Sequence, residues 1–240
     1  MKSLNSYYKM VGDSDVLNVA LKYGVKIEWV VEAGCHDGTD TLLINSKLNP
    51  SRIYAFEPDP SAIARAQALF EGSLNNVSLF PFGLSNENRV LYFKFPEDRE
   101  GTGLTILSTE GDVSVPVKRF DDVVQDLNFG GLLWLDVEGH AVKALQGARN
   151  MLPLLSLAKI EVQMHDMNDL RREDFFEVYR IMRVAGLKPL YAPIHPGYFG
   201  DVVFVNKRLM TRIQNLYSRF LYLQMFLLHK IVYPLLGKPS

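Results

Sequence analysis

A chain of 240 residues, 48% of them hydrophobic, can bury the core of one α/β domain with room for a short appendage. Its formal net charge of -1 argues against a chain-wide nucleic-acid binder. The charge is uneven, because no Asp or Glu follows Asp201: the last 39 residues carry +6 and residues 1–201 carry −7.

In chain order, the N-terminus MKSLNSYYKMVGDSD lacks the apolar core of a signal peptide. The one cysteine, Cys35, excludes an intrachain disulfide. Both features suit a cytoplasmic protein. Residues 14–23 read as a short helix within an N-terminal segment, 1–27. "EWVVEAG" (28–34) is a β-branched run ended by glycine, a buried strand. "TDTLLINSKLN" (39–49) is helical. "RIYAFEP" (52–58) is a second strand stopped by Pro58, and "DPSAIARAQALF" (59–70) is a helix with an Asp cap and proline in its first turn. "NVSLFPFGLS" (76–85) reads as a third strand. The rhythm then breaks: "RVLYFKF" (89–95), "LTIL" (104–107) and "VSVPVKRF" (113–120) predict a β-rich insertion. "DDVVQDL" (121–127) reads as a short helix, "GLLWLDVEG" (131–139) as a buried strand, "HAVKALQGARNML" (140–152) as a helix and "LAKIEVQMH" (157–165) as a strand. "REDFFEVYRIMRVAG" (172–186) is a helix closed by Gly186, and "KPLYAP" and "DVVFVN" are late strands joined by "IHPGYFG".

Alternating strands and helices imply a mostly parallel sheet with helices on both faces, and the late pair implies an antiparallel hairpin. Ligands of such sheets bind at the carboxyl ends of the strands. The endings of interest are Glu32–Gly38, Glu57–Pro58, Gly83–Ser85, Asp136–His140 and Glu161–Asp166.

The glycine turn "VVEAGCHDGTD" does not suit a phosphate. It lacks a lysine, His36 stands where a dinucleotide turn needs glycine, and Glu32 and Asp37 would repel a pyrophosphate. It suits a cationic amino-acid cofactor, S-adenosylmethionine. An acid ahead of the turn can face the ammonium, and Gly34 and Gly38 allow close backbone approach. Glu57, 23 residues beyond Gly34, can accept both ribose hydroxyls. The candidate cofactor contacts are therefore Glu32, Gly34, Cys35, His36, Asp37, Gly38, Glu57, Pro58, Ser85 and Asp136.

"VVEAGCHDGTDTLLI", "IYAFEPDPSAIARAQALF", "VSLFPFGLSNENRVLYFKF", "KRFDD" and "LLWLDVEGHAVKALQGARNML", in that order, resemble the FkbM family of S-adenosylmethionine-dependent methyltransferases, from about Trp29 to about Val205. The glycine turn is shared by many methyltransferases; the "FEP" and "LDVEG" strand ends with "ALQGA" are more specific. The resemblance implies a Rossmann-like class I methyltransferase fold, with a mostly parallel seven-stranded sheet spanning 28–206. It also implies O-methylation, of a sugar in a glycan or glycolipid or of a polyketide-type hydroxyl. The chain departs from the family pattern after "DVEG": His140, Ala141 and Val142 follow where a small residue and an acid are usual, so no role of that acid carries over. A methyltransferase-fold binding module without activity is the rival reading.

Methyl transfer to an alcohol requires a positioned oxygen and a group that takes its proton. Asp136 and Glu138 lie two apart and share a face if the strand stays regular. His165, ending the next strand, is a natural base near neutral pH. The expected catalytic set is His165 or Asp136 as base, with Glu138 orienting the acceptor. No spacing demands a metal, although these three could hold a divalent ion.

In the tail, 207–240, Leu209, Ile213, Leu216, Phe220, Leu223 and Leu227 form one apolar helical stripe, with Arg208, Arg212, Asn215 and Arg219 off it. Two roles stay open for residues 208–236: packing on their own domain or a second copy, or lying in a membrane interface with the arginines toward anionic lipid. Spanning a bilayer is disfavoured because the uncharged run is short.

Overall fold

A computed structural model describes residues 13–94, 106–111, 113–163, 175–192 and 199–227. The chain begins with α1 (Asp13–Lys22), β1 (Trp29–Ala33), α2 (Thr39–Leu48), β2 (Arg52–Phe56), α3 (Pro60–Phe70) and β3 (Val77–Phe80). A second group follows, β4 (Gly83–Leu84), β5 (Arg89–Lys94), β6 (Ile106–Ser108) and β7 (Val113–Lys118). The chain then returns with β8 (Gly131–Leu135), α4 (Ala141–Gln146), β9 (Leu155–Gln163), α5 (Phe175–Val184), β10 (Leu187–Tyr191), β11 (Phe199–Asn206) and α6 (Arg212–Leu227).

Seven strands form the main sheet in the order β10-β11-β9-β8-β1-β2-β3. Only β11 runs against the rest, pairing antiparallel with both β9 and β10. The expected mostly parallel sheet with a late antiparallel hairpin is therefore what the chain forms. Strand order reverses between β1 and β8, which pair in parallel. That crevice is where such a sheet offers a binding site.

The central strands β1 and β8 are buried along their whole length; β8 is apolar throughout, and β1 is apolar apart from the buried Glu32. Alternate residues feed two cores. Val30, Leu132 and Trp134 join Val16, Leu17 and Ile44 of α1 and α2 on one face. Val31, Leu133 and Leu135 join Leu145, Val178 and Met182 of α4 and α5 on the other. Each large side chain buried there contributes on the order of 1.5–3 kcal/mol. Helix α3 starts as its sequence predicts: Asp59 accepts the Ser61 N–H at 2.8 Å and Pro60 fills the first turn.

Four boundaries differ from the sequence reading. The third strand is two strands in two sheets: β3 pairs with β2, while β4 pairs with β7 in a four-stranded sheet β4-β7-β5-β6. Pro81 sits at the break, where it cannot donate to a ladder. The β-rich insertion is thus a sheet of its own. Residues 121–127 form no α-helix; a 3-10 turn covers Phe120–Asp122, and Asp126 takes a left-handed φ of 60°. Helix α4 stops at Gln146 rather than 152, because Gly147 caps it and packs against the Ser85 backbone, where a β-carbon would lie 1.9 Å from the carbonyl oxygen.

The fourth difference is in the tail. Helix α6 packs on β10, but through Ser218, Leu221 and Met225. Leu209, Phe220, Leu223 and Leu227 of the predicted stripe are exposed. Both faces are apolar, so periodicity alone could not tell which one the domain covers. No helix among the described residues is long and apolar enough to cross a membrane.

Candidate active site

The β1 and β2 ends are tied together by backbone. The Gly34 and Cys35 N–H groups donate to the Phe56 carbonyl at 2.9 and 3.2 Å. The loop then turns on itself, Gly38 N–H donating to the Cys35 carbonyl at 2.8 Å, with His36 in the left-handed region at φ 48°. Glu57 clamps this turn: its Oε2 accepts the His36 N–H at 2.9 Å and its Oε1 the Asp59 N–H at 2.8 Å. Burial raises the Glu57 carboxyl above its ordinary range, and the two N–H donors work against that. Each oxygen keeps a further lone pair, so a vicinal diol can still be accepted.

The two glycines of the turn have a packing role. A β-carbon at Gly34 would sit 1.7 Å from the Asp136 carbonyl oxygen, and one at Gly38 would sit 2.5 Å from the Phe70 ring. Gly34 lets the β1 and β8 loops meet, and Gly38 lets α3 close on the start of α2. Both hold φ near +85°.

The other candidates of this loop divide. Glu32 is buried and accepts the Thr41 hydroxyl at 2.6 Å, anchoring α2 behind the turn. The Cys35 thiol is buried and pushed far up by that burial, then by Glu32 and Glu57, so it stays protonated. Asp37 accepts the Thr39 N–H at 3.0 Å, and hydrogen bonds from Thr39 hold its carboxyl below the ordinary range. The His36 ring is exposed, with Nε2 at 3.1 Å from an Arg65 nitrogen. Pro58 is half-buried and packs beside Gly83.

Ser85 is fully buried, and its Oγ lies 3.0 Å from His140 Nε2. Burial lowers the His140 imidazole to about 4, helped by Lys143 and Arg89, so it is neutral near pH 7. The pair ties the start of α4 to the end of β4.

Asp136 and Glu138 lie beyond the end of β8, and Glu138 has φ 45°, so the regular strand assumed for them is absent. The turn nonetheless brings them together. Asp136, Glu138 and Glu161 of β9 each present a carboxylate oxygen within 4.8 Å of the others. That spacing can bind hydroxyls, and oxygen ligands so placed could also take a divalent cation. Glu161 is pushed up to about 8, by burial first and then by Asp136, Glu138 and Asp201, with Lys159 opposing. Lys159 pairs with Asp201 at 3.3 Å and lies 4.2 Å over the Trp134 ring. Glu161 opens one of the strand endings that the sequence picks out, but the sequence assigns it no role. Its signal is an acid near the carboxyl end of a strand. His165 lies outside the described residues.

The turn after β1, the acid after β2 and the carboxylates after β8 and on β9 all lie on the carboxyl edge of the sheet, around the switch point. The family model for the methyltransferase FkbM domain matches residues 32–189, which span this whole edge. The chain belongs to the FkbM methyltransferase family. The chain is 25% identical over 153 residues to the hexuronic acid methyltransferase AglP of Haloferax volcanii, covering 63% of this chain and 62% of that protein. It is 23% identical over 200 residues to the 2-O-methyltransferase NoeI of Sinorhizobium fredii, covering 75% of this chain and 80% of that one. A crystal structure of an FkbM methyltransferase from Methylobacillus flagellatus superposes with a TM-score of 0.51 at 16% identity, over 75% of this chain and 44% of that one. The chain thus spans less than two thirds of the length of AglP and less than half of that crystallised chain.

Proposed function

We propose that this FkbM protein is an S-adenosylmethionine-dependent O-methyltransferase whose acceptor is a sugar hydroxyl, in a glycan or glycolipid. The observation that carries the proposal is the convergence of Asp136, Glu138 and Glu161 next to the loop that Glu57 clamps. The name of AglP, a hexuronic acid methyltransferase, supports a sugar acceptor, and that of NoeI, a 2-O-methyltransferase, supports transfer to oxygen.

The residues fit the cofactor. Glu57 retains acceptor capacity for two ribose hydroxyls, and the turn between Gly34 and Gly38 lies directly against it. When bound, S-adenosylmethionine supplies a methyl group already activated by a sulfonium. The protein's remaining tasks are to place an oxygen in line and to take its proton. Asp136 and Glu138 accept hydrogen bonds from the sugar and fix its orientation. Glu161, raised to about 8, has a proton affinity suited to general-base work near neutral pH. His165, two positions beyond the end of β9, is the rival proton acceptor. Asp136 and Glu138, joined by Glu161 once it has lost its proton, repel an anionic acceptor and favour a neutral hydroxyl over a carboxylate.

The test is turnover of Asp136→Asn, Glu161→Gln and His165→Ala at saturating cofactor, with S-adenosylhomocysteine binding measured separately by titration calorimetry. Loss of the proton acceptor costs about 10²–10⁴-fold in kcat while cofactor affinity holds. Near wild-type turnover in all three variants would overturn the assignment.

A further inference from the structure

Helix α6 has two apolar faces, and the domain covers one. Ser218, Leu221 and Met225 are buried against the body, and Tyr222 stacks on Tyr179 of α5 at 4.3 Å. At 100° per residue, Phe220, Leu223 and Leu227 project from the opposite side. They are 56, 50 and 42% exposed, a continuous apolar row of three large side chains.

Cations line the same helix. Lys207 and Arg208 sit in the 3-10 turn before it, and Arg212 and Arg219 are exposed on it. Arg183 of α5 and Lys188 of β10 adjoin them. The Lys188 ammonium is pushed below its ordinary range by burial first, then by Arg219, Lys207 and Arg183, so these groups share one positive field. No Asp or Glu occurs in residues 202–240, and Glu177 of α5 is taken up by Arg180.

The charge decides between occupants. A second copy paired by a two-fold axis would set this cationic, acid-free helix against itself. A bilayer carrying anionic headgroups accepts the apolar row and the arginines together. The described residues of α6 are too few to span: 16 of them reach roughly 24 Å, against about 30 Å of hydrocarbon. We propose that the outward face of α6, Phe220, Leu223 and Leu227 with Arg212 and Arg219, docks the protein on an anionic lipid surface.

The placement has a consequence for the acceptor. Helix α5 ends where β10 begins, at the amino edge of the sheet, so its first residues lie toward the carboxyl edge. Phe226, at the end of α6, meets Phe176, at the start of α5, with ring centroids 6.2 Å apart. A docked α6 therefore brings the catalytic edge close to the bilayer, where a lipid-linked sugar would lie. That consequence rests on the methyl-transfer reading; the docking does not.

The experiment is flotation of the full chain with vesicles of phosphatidylcholine alone and of phosphatidylcholine mixed with phosphatidylglycerol. The protein is expected to float with the mixed vesicles only. Phe220→Ser with Leu223→Ser should lower the bound fraction about tenfold or more. Arg212→Gln and Arg219→Gln should each weaken binding by about fivefold. All these positions are exposed, and unchanged thermal unfolding confirms that each variant is folded. Wild-type protein that stays unbound with mixed vesicles, floats equally on both, or floats unchanged after the substitutions overturns the proposal. So does a dimer in sedimentation equilibrium that the serine variant dissolves. None of these readouts requires methyl transfer, so failure here leaves the catalytic reading standing.

Discussion

Replacing Gly34 with alanine tests whether the contact between the β1 and β8 loops builds the site. The added β-carbon would lie 1.7 Å from the Asp136 carbonyl oxygen, where ordinary contact begins near 3.4 Å. The two loops must separate by roughly 1.5 Å to relieve it. The backbone also holds φ at +84°, which costs an alanine about 1–2 kcal/mol. Overpacking adds about 1–3 kcal/mol, for a total of roughly 2–5 kcal/mol. For a domain of this size that lowers Tm by about 4–20 °C. Because Asp136 moves with its carbonyl, kcat should fall about a hundredfold, as expected for a displacement of about 1 Å at a reacting group. Gly24→Ala is the control: φ is +60° with nothing within 4 Å, so only the conformational cost of about 1–2 kcal/mol applies and activity is kept. Thermal unfolding and kcat of both variants decide it. Equal effects at the two positions would mean that the contact between the β1 and β8 loops does not build the site.

Glu161→Gln should change how stability depends on pH. An acid whose folded value, about 8, stands above its unfolded one, 4.5, destabilises the fold as pH rises through that window. The variant should match the wild type near pH 4.5 and exceed it above pH 8, by on the order of 1–3 kcal/mol after allowing for water reaching this half-buried group. Urea midpoints across that range measure it, and a gap that ignores pH contradicts it. Cys35 should resist iodoacetamide in the native protein and react at once after unfolding, because its thiol is buried and held protonated. Rapid native labelling would mean that the glycine turn opens. Methyl transfer should survive EDTA, since Asp136, Glu138 and Glu161 are read as acting on the acceptor directly; a loss restored by Mg²⁺ would place an ion among them.

Much of this architecture is legible in the sequence because short apolar runs ending in glycine or acid are hard to read otherwise. "EWVVEAG" and "GLLWLDVEG" gave the two central strands to within a few residues, and Asp59–Pro60 gave the start of α3. The split of "NVSLFPFGLS" was hidden, since both halves are apolar and only the pairing partners separate them. Glu57 was legible as a strand-end acid, but its clamp on the His36 N–H depends on a left-handed turn that no spacing reveals. The carboxylate cluster was half legible. Asp136 and Glu138 stood out at a strand end, whereas Glu161 joins them only because β9 lies beside β8. In α6 the stripe was found but its orientation was not, because a helix apolar on two faces gives one period and two solutions.

The central claim is tested most directly by transfer of labelled methyl from S-adenosylmethionine to a panel of oligosaccharides and glycolipids, followed by treatment with alkali. A methyl ether on a hydroxyl survives base, whereas a methyl ester on a uronic acid is released as methanol. The account predicts base-stable label on a sugar acceptor, lost with Asp136→Asn. No transfer to any sugar, or label released by base, would contradict it.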